Sequence, residues 1–276
     1  MARGKPRIDA QAGTSSPLGV AISQNDQQTM TMVREALERR LVKLAFQPVV
    51  RSRDPNRVAF HEALIRLMDG SGRIIPARDF MGAVDAQEAG REIDCIALEL
   101  GIDTLARHPG LRIAINMSAR SIGYPRFQRI LDQALSRHAG VAERLILEIS
   151  EDSAMLVPEI VAAFMDEFQG RGVAFALDDF GSGPTIIRYF KDFFFDMVKI
   201  DGQFVRNLHL DRANQTVVAA LMSVARQFDM YVVAEAVESE PEAAVLRAMG
   251  ADCLQGYLFG APTVRPFWAR DEARRA

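Results

Sequence analysis

Short runs of apolar residues alternate with amphipathic stretches along most of the chain. Because strands that are apolar throughout are covered on both faces, the runs predict parallel strands packed between helices. Strands are predicted at 44–50, 58–67, 111–116, 145–149, 173–177, 197–200, 231–234 and, more weakly, around Cys253. An apolar period of three to four residues predicts helices at about 26–40, 79–107, 125–138, 155–170, 184–193, 213–228 and 239–249.

The number and spacing of the runs favour a closed barrel. About eight strand-and-helix units in about 235 residues fit the size of an α/β barrel, whose typical length is about 250 residues. Only residues 51–57 join the first two runs, which predicts a hairpin. We therefore expect a (β/α)8-type barrel with one antiparallel strand near the start.

The two ends of the chain do not follow this pattern. Residues 1–27 are rich in Gly, Pro, Ser, Gln and Asn, which predicts a flexible tail. One barrel domain is expected over residues 28–268, followed by a solvated end at 269–276.

Net charge, cysteine positions and the length of the apolar runs argue against several classes of protein. The formal net charge of −3 gives no electrostatic reason to expect a nucleic-acid polymer as partner. Cys95 and Cys253 are far apart and form neither a zinc motif nor a disulfide framework. No apolar run reaches the roughly 20 residues of a membrane span, and the first residues lack a signal-peptide core, so a cytoplasmic protein is expected.

Polar side chains interrupt the apolar runs at or near their carboxyl ends. In a parallel barrel these ends share one face, and that face holds the active site. For any one of these residues a helix cap or an ion pair is the better explanation, but neither explains a recurrence in nearly every strand. The residues are Glu62, Asn116, Glu148, Asp178, Asp179, Lys199, Glu235 and Gln255.

Five carboxylates on one face would repel one another without compensation, and divalent cations would remove the repulsion. Oxygen ligands favour Mg²⁺, Mn²⁺ or Ca²⁺ over zinc or copper. The adjacent Asp178 and Asp179 suit two metals about 3.5–4 Å apart, a spacing typical of phosphoryl transfer. The four histidines do not cluster, and His61 is expected to face away from Glu62, so none is expected to bind metal.

The segments around these residues resemble the motifs of the EAL family of cyclic di-GMP phosphodiesterases. Glu62-Ala63-Leu64 with Arg66 matches the motif that names the family, and Gln47-Pro48 matches the strand before it. The resemblance covers residues 32–262 in the family's order. Its later motifs correspond to residues 115–118, 148–151, 178–183, 198–201 and 255–257.

This resemblance implies a modified (β/α)8 barrel that hydrolyses the bacterial second messenger cyclic di-GMP to linear pGpG. It implies two Mg²⁺ or Mn²⁺ ions per site, inhibition by Ca²⁺, and a homodimer. Lys199, Glu235 and Glu62 would be catalytic, and Glu151 would support the loop after Asp179. The implied metal ligands are Glu62, Asn116, Glu148, Asp178, Asp179 and Glu235. The implied substrate contacts are Gln47, Leu64, Arg66, Asn116 and Gln255.

One loop departs from the family's pattern. After the paired aspartates, active members have Gly-Thr-Gly-Tyr-Ser-Ser-Leu-Ser-Tyr-Leu, whereas residues 181–190 here are Gly-Ser-Gly-Pro-Thr-Ile-Ile-Arg-Tyr-Phe. Pro184 removes a backbone donor, and Ile186 replaces a small hydroxyl with a stiff hydrocarbon. Ala236 also stands where the family usually has Gly. The retained metal ligands favour an enzyme, while a non-catalytic cyclic di-GMP receptor and an interaction scaffold remain alternatives.

Overall fold

The computed structural model describes residues 17–183 and 189–269. Within these residues, nine strands form one sheet. The strands are β1 (Val42–Arg51), β2 (Asp54–Met68), β3 (Ile74–Pro76), β4 (Ile113–Asn116), β5 (Leu145–Ser150), β6 (Ala174–Phe180), β7 (Met197–Ile200), β8 (Tyr231–Ala234) and β9 (Cys253–Gln255).

Helices follow most of the parallel strands and cover the outside of the sheet. They are α1 (Pro17–Glu38), α2 (Met81–Val84), α3 (Glu88–Arg107), α4 (Pro125–Arg137), α5 (Glu151–Ala154), α6 (Pro158–Gln169), α7 (Gly202–Val205), α8 (Arg212–Gln227) and α9 (Glu240–Met249). Short 3₁₀ turns occur at Ala77–Asp79, Ala119–Ser121 and Ala142–Arg144.

The sheet closes into an eight-stranded barrel. Its hydrogen-bonded order is β1-β9-β8-β7-β6-β5-β4-β2, and β1 also pairs with β2 and so completes the ring. Strand β1 is antiparallel to both of its neighbours, whereas the pairs from β2 through β4 to β9 are parallel. The predicted fold class, an α/β barrel with one antiparallel strand near the start, is confirmed.

Several predicted boundaries need correction. Helix α1 begins at Pro17, so residues 17–27 belong to a helix and not to the predicted tail; residues 1–16 lie outside the described part. The helix ends because Arg40 adopts a φ of 54°, which a right-handed helix cannot continue. The predicted helix at 184–193 is not found over residues 189–193, which form turns, and residues 184–188 lie outside the described part.

Two further features differ from the prediction. Strand β3 pairs antiparallel with the end of β2 outside the barrel ring, and the predicted helix at 79–107 is divided into α2 and α3. The barrel domain extends at least to Trp268, whose buried ring packs edge-on against Phe46 and His61. Of the predicted solvated end, residues 270–276 lie outside the described part. No helix in the described ranges is long and apolar enough to cross a bilayer.

Candidate active site

The inward positions of the barrel change from apolar to polar toward the carboxyl ends of the parallel strands. Side chains two residues apart on a strand share a face, so each polar residue stands directly above an apolar one. Phe60, Ile146 and Val233 form part of the apolar layer inside the barrel. Two residues further along the same strands lie Glu62, Glu148 and, immediately after β8, Glu235.

Lys199 is the centre of the polar layer. Its ammonium is fully buried and lies within ion-pair distance of four carboxylates from four different segments. The Nζ atom is 3.2 Å from Glu62 Oε2, 2.9 Å from Glu148 Oε2, 3.1 Å from Asp178 Oδ1 and 2.8 Å from Glu235 Oε1.

Two amide side chains hold Glu62 in place, and a third, that of Gln47, holds one of them. Asn116 Nδ2 donates to Glu62 Oε1 at 2.8 Å, and Gln255 Nε2 donates to Glu62 Oε2 at 2.5 Å. Gln255 Nε2 also lies 3.2 Å from Gln47 Oε1, and Gln47 Nε2 donates to the carbonyl of Gly260. Strands β1, β2, β4 and β9 are thereby joined through side chains at the mouth of the barrel.

The pKa of each group follows from burial and from its neighbours. Burial lowers the pKa of Lys199, but the four surrounding carboxylates outweigh burial and hold the pKa well above its ordinary value. Without bound cations, Lys199 is therefore an ammonium in this arrangement. Burial raises the pKa of Glu62 as well, yet Lys199 and the amide hydrogen bonds outweigh this and lower the pKa overall.

The negative charges of the other carboxyl groups are balanced less completely by their neighbours. Burial and the charge of Asp178 raise the pKa of Glu235 to about 8. Burial, with repulsion from Asp178 and Asp201, raises the pKa of Asp179 to about 6. Glu148 Oε1 is buried and has no hydrogen-bond partner among the described residues. One ammonium is thus too little positive charge for five carboxyls.

The carboxylate oxygens form two groups that share Asp178. Oxygens of Glu62, Glu148 and Asp178 lie within 4.8 Å of one another, and so do oxygens of Asp178, Asp179 and Glu235. An all-oxygen donor set with one shared aspartate fits a pair of Mg²⁺-like cations. The partnerless oxygen of Glu148 is the kind of atom that such a cation would satisfy.

The turn after β6 is held by a buried acid. Asp179 has a φ of 55°, and the following Gly181 has a φ of 95°. The Gly181 amide donates to Glu151 Oε2 at 2.9 Å. A Cβ on Gly181 would lie 2.9 Å from Leu221 Cδ1, so the close packing and the positive φ both require glycine here.

Two cavities flank the carboxylates and meet at Glu62, Leu64 and Arg78. The first, of about 670 Å³, is bordered by Asn116, Asp178 and Asp179 among others, and we call it the first cleft. The second, of about 580 Å³, is bordered by Gln47, Glu235, Gln255 and Tyr257 among others, and we call it the second cleft.

The match to known proteins agrees with this geometry. Residues 30–262 match the model of the EAL domain family. The chain belongs to the EAL domain family.

Among relatives of this EAL domain, "Cyclic di-GMP phosphodiesterase PdeF" from Escherichia coli is 30% identical over 237 residues. The match covers 84% of the chain but only 31% of PdeF, so the chain spans about a third of that protein's length. The structure titled "PaMucR Phosphodiesterase, c-di-GMP complex" is 29% identical with a TM-score of 0.75, covering 86% of this chain and 97% of that one. The FimX EAL domain from Pseudomonas aeruginosa bound to c-di-GMP is 26% identical with a TM-score of 0.77, over 86% and 96% of the two chains.

Most residues singled out in the EAL domain sequence are brought together. Arg66, which follows Glu62 on β2, is influenced by the charge of Glu62, and Glu151 contacts the turn after Asp179. Arg66 is half-buried, and its Nη1 donates to the carbonyl of Ile65 at 2.8 Å. His61 faces away from the site against Trp268, as predicted, and burial lowers its pKa to about 4.

Sequence reasoning missed other residues of the EAL domain site. Arg78 lines both clefts, and Asp201 and Arg206 line the second. Asp94 lies buried beneath the loop after β4, where it accepts hydrogen bonds from Ser118 N and Ser121 Oγ. Asp201 could have been found from the sequence, because it is the last residue of the family motif at 198–201. Arg78 and Asp94 could not, because they belong to amphipathic segments in which charged residues are common.

Proposed function

We propose that this EAL domain hydrolyses cyclic di-GMP to linear pGpG with the help of two divalent cations. The observation that carries the proposal is the pair of carboxylate groups that share Asp178 around the ammonium of Lys199. Cations held by this donor set would bind a phosphodiester through its non-bridging oxygens.

The two clefts support a substrate with two nucleotide halves. They lie on either side of Glu62 and Leu64, with volumes of about 670 and 580 Å³. Each volume lies within the range of small-ligand sites, about 300–1,000 Å³. Cyclic di-GMP has two guanosine halves joined by two phosphates, so one phosphate could sit at the carboxylates while a base enters each cleft.

The chain's own residues would position the reacting groups. When bound, the cations would lower the pKa of a water molecule and neutralise the non-bridging phosphate oxygens. Lys199, held as an ammonium, would donate to the attacking water or to the phosphate as negative charge develops. Asn116 and Gln255 would keep Glu62 in its orientation, and Arg66 would contact the second phosphate.

Further assignments complete this proposal. Glu62, Asn116, Glu148 and Asp178 would hold one cation, with Asp178, Asp179 and Glu235 at the other. Gln47, Leu64 and Gln255 would contact the substrate, and Glu151 would fix the turn after Asp179. We infer Mg²⁺ or Mn²⁺ as the activating ions and Ca²⁺ as an inhibitor, in a cytoplasmic homodimer. Light scattering after gel filtration tests the dimer.

Product analysis tests the activity. Purified protein is incubated with cyclic di-GMP and Mg²⁺, Mn²⁺, Ca²⁺ or EDTA, and the nucleotides are separated by chromatography. We expect pGpG to form with Mg²⁺ or Mn²⁺. In Glu62→Gln the rate of pGpG formation should fall at least about a hundredfold, which is the usual effect of losing one electrostatic contact to a transition state. Glu167→Gln, an exchange on the exposed side of α6, is the matched control.

The other outcomes separate the alternatives. Calorimetric binding of cyclic di-GMP without any pGpG would exclude the phosphodiesterase and leave a receptor. Neither binding nor turnover would leave an interaction scaffold. Turnover that survives in Glu62→Gln would contradict the assigned site.

A further inference from the structure

The opposite end of the barrel contains a further cavity, which we call the lower cavity. It has a volume of about 570 Å³ and lies at the amino-terminal ends of the parallel strands. Its borders include Arg51 at the end of β1, Arg53 in the hairpin, and Tyr231 and Cys253 at the starts of β8 and β9. It is therefore separate from both clefts of the candidate active site.

The floor of the lower cavity is apolar and incompletely covered. Phe60, Ile146 and Val233 belong to the apolar layer inside the barrel. Below them, Ala174 and Met197 are only partly buried and border the cavity. A barrel interior is normally filled by its own side chains, so the partly covered apolar surface leaves room for an apolar group.

The rim of the lower cavity is strongly basic. Four arginines border it, Arg51, Arg53, Arg112 and Arg247. The single acid among its lining residues is Asp252, whose Oδ2 already accepts a hydrogen bond from Val232 N at 2.8 Å.

The arginines of the rim are poorly compensated. Within the described ranges, no carboxylate lies at ion-pair distance from Arg51, Arg53 or Arg112, whereas Arg247 pairs with Glu240. Arg112 donates to the carbonyl of Glu143, which fixes its position without neutralising its charge. Arg51, Arg53 and Arg112 are exposed, so their guanidinium groups are accessible to an anionic ligand.

We propose that the lower cavity binds a small nucleoside phosphate. Guanidinium groups bind phosphate through paired hydrogen bonds, and arginines supply the rim here. The apolar floor and Tyr231, which is 64% exposed at the edge of the cavity, offer a surface on which a flat base can stack. The four arginines surround one compact cavity, which fits a mononucleotide better than a polymer.

Calorimetry on protein whose cation-dependent turnover is blocked tests this proposal. The protein is the Glu62→Gln variant in EDTA, and the probes are GMP, AMP, guanosine and inorganic phosphate. We expect a nucleoside monophosphate to bind with one site per chain, and to bind at least tenfold more tightly than either guanosine or phosphate alone. Binding should weaken as salt rises, since the contacts are ionic.

Two pairs of variants locate the site. Arg51→Ala combined with Arg53→Ala should weaken binding at least tenfold, while Arg57→Ala, an exposed exchange in the same hairpin outside the cavity, should leave it unchanged. Tyr231→Ala should weaken binding and Tyr231→Phe should preserve it. Circular dichroism confirms that each variant is folded.

Three results would overturn the proposal. The first is that neither GMP nor AMP binds. The second is that inorganic phosphate binds with the same affinity as the monophosphates. The third is that the affinity for the monophosphates is unchanged when Arg51 and Arg53 are both replaced by Ala. Because no cation is present in any arm, these results do not depend on whether the chain hydrolyses cyclic di-GMP.

Discussion

Ala236 adopts a left-handed backbone conformation, with a φ of 51°, directly after Glu235 in the second cleft. An L-residue with a Cβ pays about 1–2 kcal/mol in this region, and glycine pays almost none. The neighbouring Gly202 lies so close that a Cβ added to it would be 2.5 Å from the Cβ of Ala236. Ala236 thus stores strain beside a proposed catalytic residue.

Ala236→Gly should therefore raise the free energy of unfolding by about 0.5–1 kcal/mol. The relief of backbone strain stabilises the folded state, and the greater conformational entropy of glycine in the unfolded chain offsets part of this gain. Urea titration of the cation-free protein measures the difference. Ala234→Gly, two residues earlier in buried strand β8, should instead destabilise the protein. A loss of stability in Ala236→Gly would show that the methyl group contributes packing that exceeds the strain.

His61 provides a second prediction at the level of one residue. Its ring lies 4.8 Å from that of Trp268 and is buried, and burial lowers its pKa from 6.5 to about 4. Between these values the unfolded chain binds a proton that the folded chain does not, so the contribution of His61 to stability is lost as the pH falls.

Compared with His61→Phe, the natural protein should lose about 2 kcal/mol of stability between pH 7.5 and pH 4.5, allowing for partial solvation of the ring. Phenylalanine keeps an aromatic contact with Trp268 and does not titrate. Urea unfolding of both proteins at the two pH values gives the difference directly. An unchanged difference between the two pH values would mean that His61 is protonated in the folded state.

At the level of elements, helix α3 is fastened to the loop after β4 by Asp94. Its Oδ2 accepts from Ser118 N at 2.9 Å and from Ser121 Oγ at 2.6 Å, and Ser153 Oγ accepts from Ala119 N at 2.8 Å. These bonds join α3, α5 and the turn that follows Asn116. The turn lies three residues after Asn116, which donates to Glu62, so we expect it to influence the orientation of both side chains.

Asp94→Ala should cost about 2–4 kcal/mol of stability, because a buried N–H and a buried hydroxyl lose their acceptor. Asp94→Asn retains one acceptor oxygen and should cost less than half of that. In the proposed activity, Asp94→Asn should lower kcat more than it raises KM if the turn orients Asn116 during the reaction. A purely structural role would change stability and leave both kinetic constants alone.

The barrel and most of its site were predictable because both depend on short-range patterns. Apolar runs marked the strands, and polar residues at or near the carboxyl ends of these runs marked Glu62, Glu148 and Glu235. Asp94 was not predictable, since an acid on a helix is normally solvated and only tertiary packing turns it toward Ser118. Strand β3 has three residues, too few to show a period.

At the level of the whole molecule, the site carries more negative charge than the protein itself neutralises. Glu148 illustrates the problem, since its carboxyl is buried with one oxygen lacking a hydrogen-bond partner among the described residues. Burial and neighbouring acids raise its pKa well above the ordinary value although Lys199 lies 2.9 Å away. Such a site reduces the stability of the cation-free fold.

Cation binding should reverse this cost. At a hundredfold excess over the dissociation constant, a bound ion stabilises the folded state by about 2.7 kcal/mol, which corresponds to a rise in Tm of about 5–10 °C for a domain of this size. We expect this rise with Mg²⁺ or Mn²⁺ in differential scanning calorimetry. Glu167→Gln should match the natural protein with and without the ions.

Glu148→Gln separates a metal site from an ordinary ionic cluster. The variant removes a buried charge, so its Tm without cations should equal or exceed that of the natural protein. It also removes a ligand, so the rise on adding Mg²⁺ or Mn²⁺ should shrink by more than half. A lower Tm without cations together with an undiminished rise would show that Glu148 serves only to balance Lys199, and that the cations bind elsewhere.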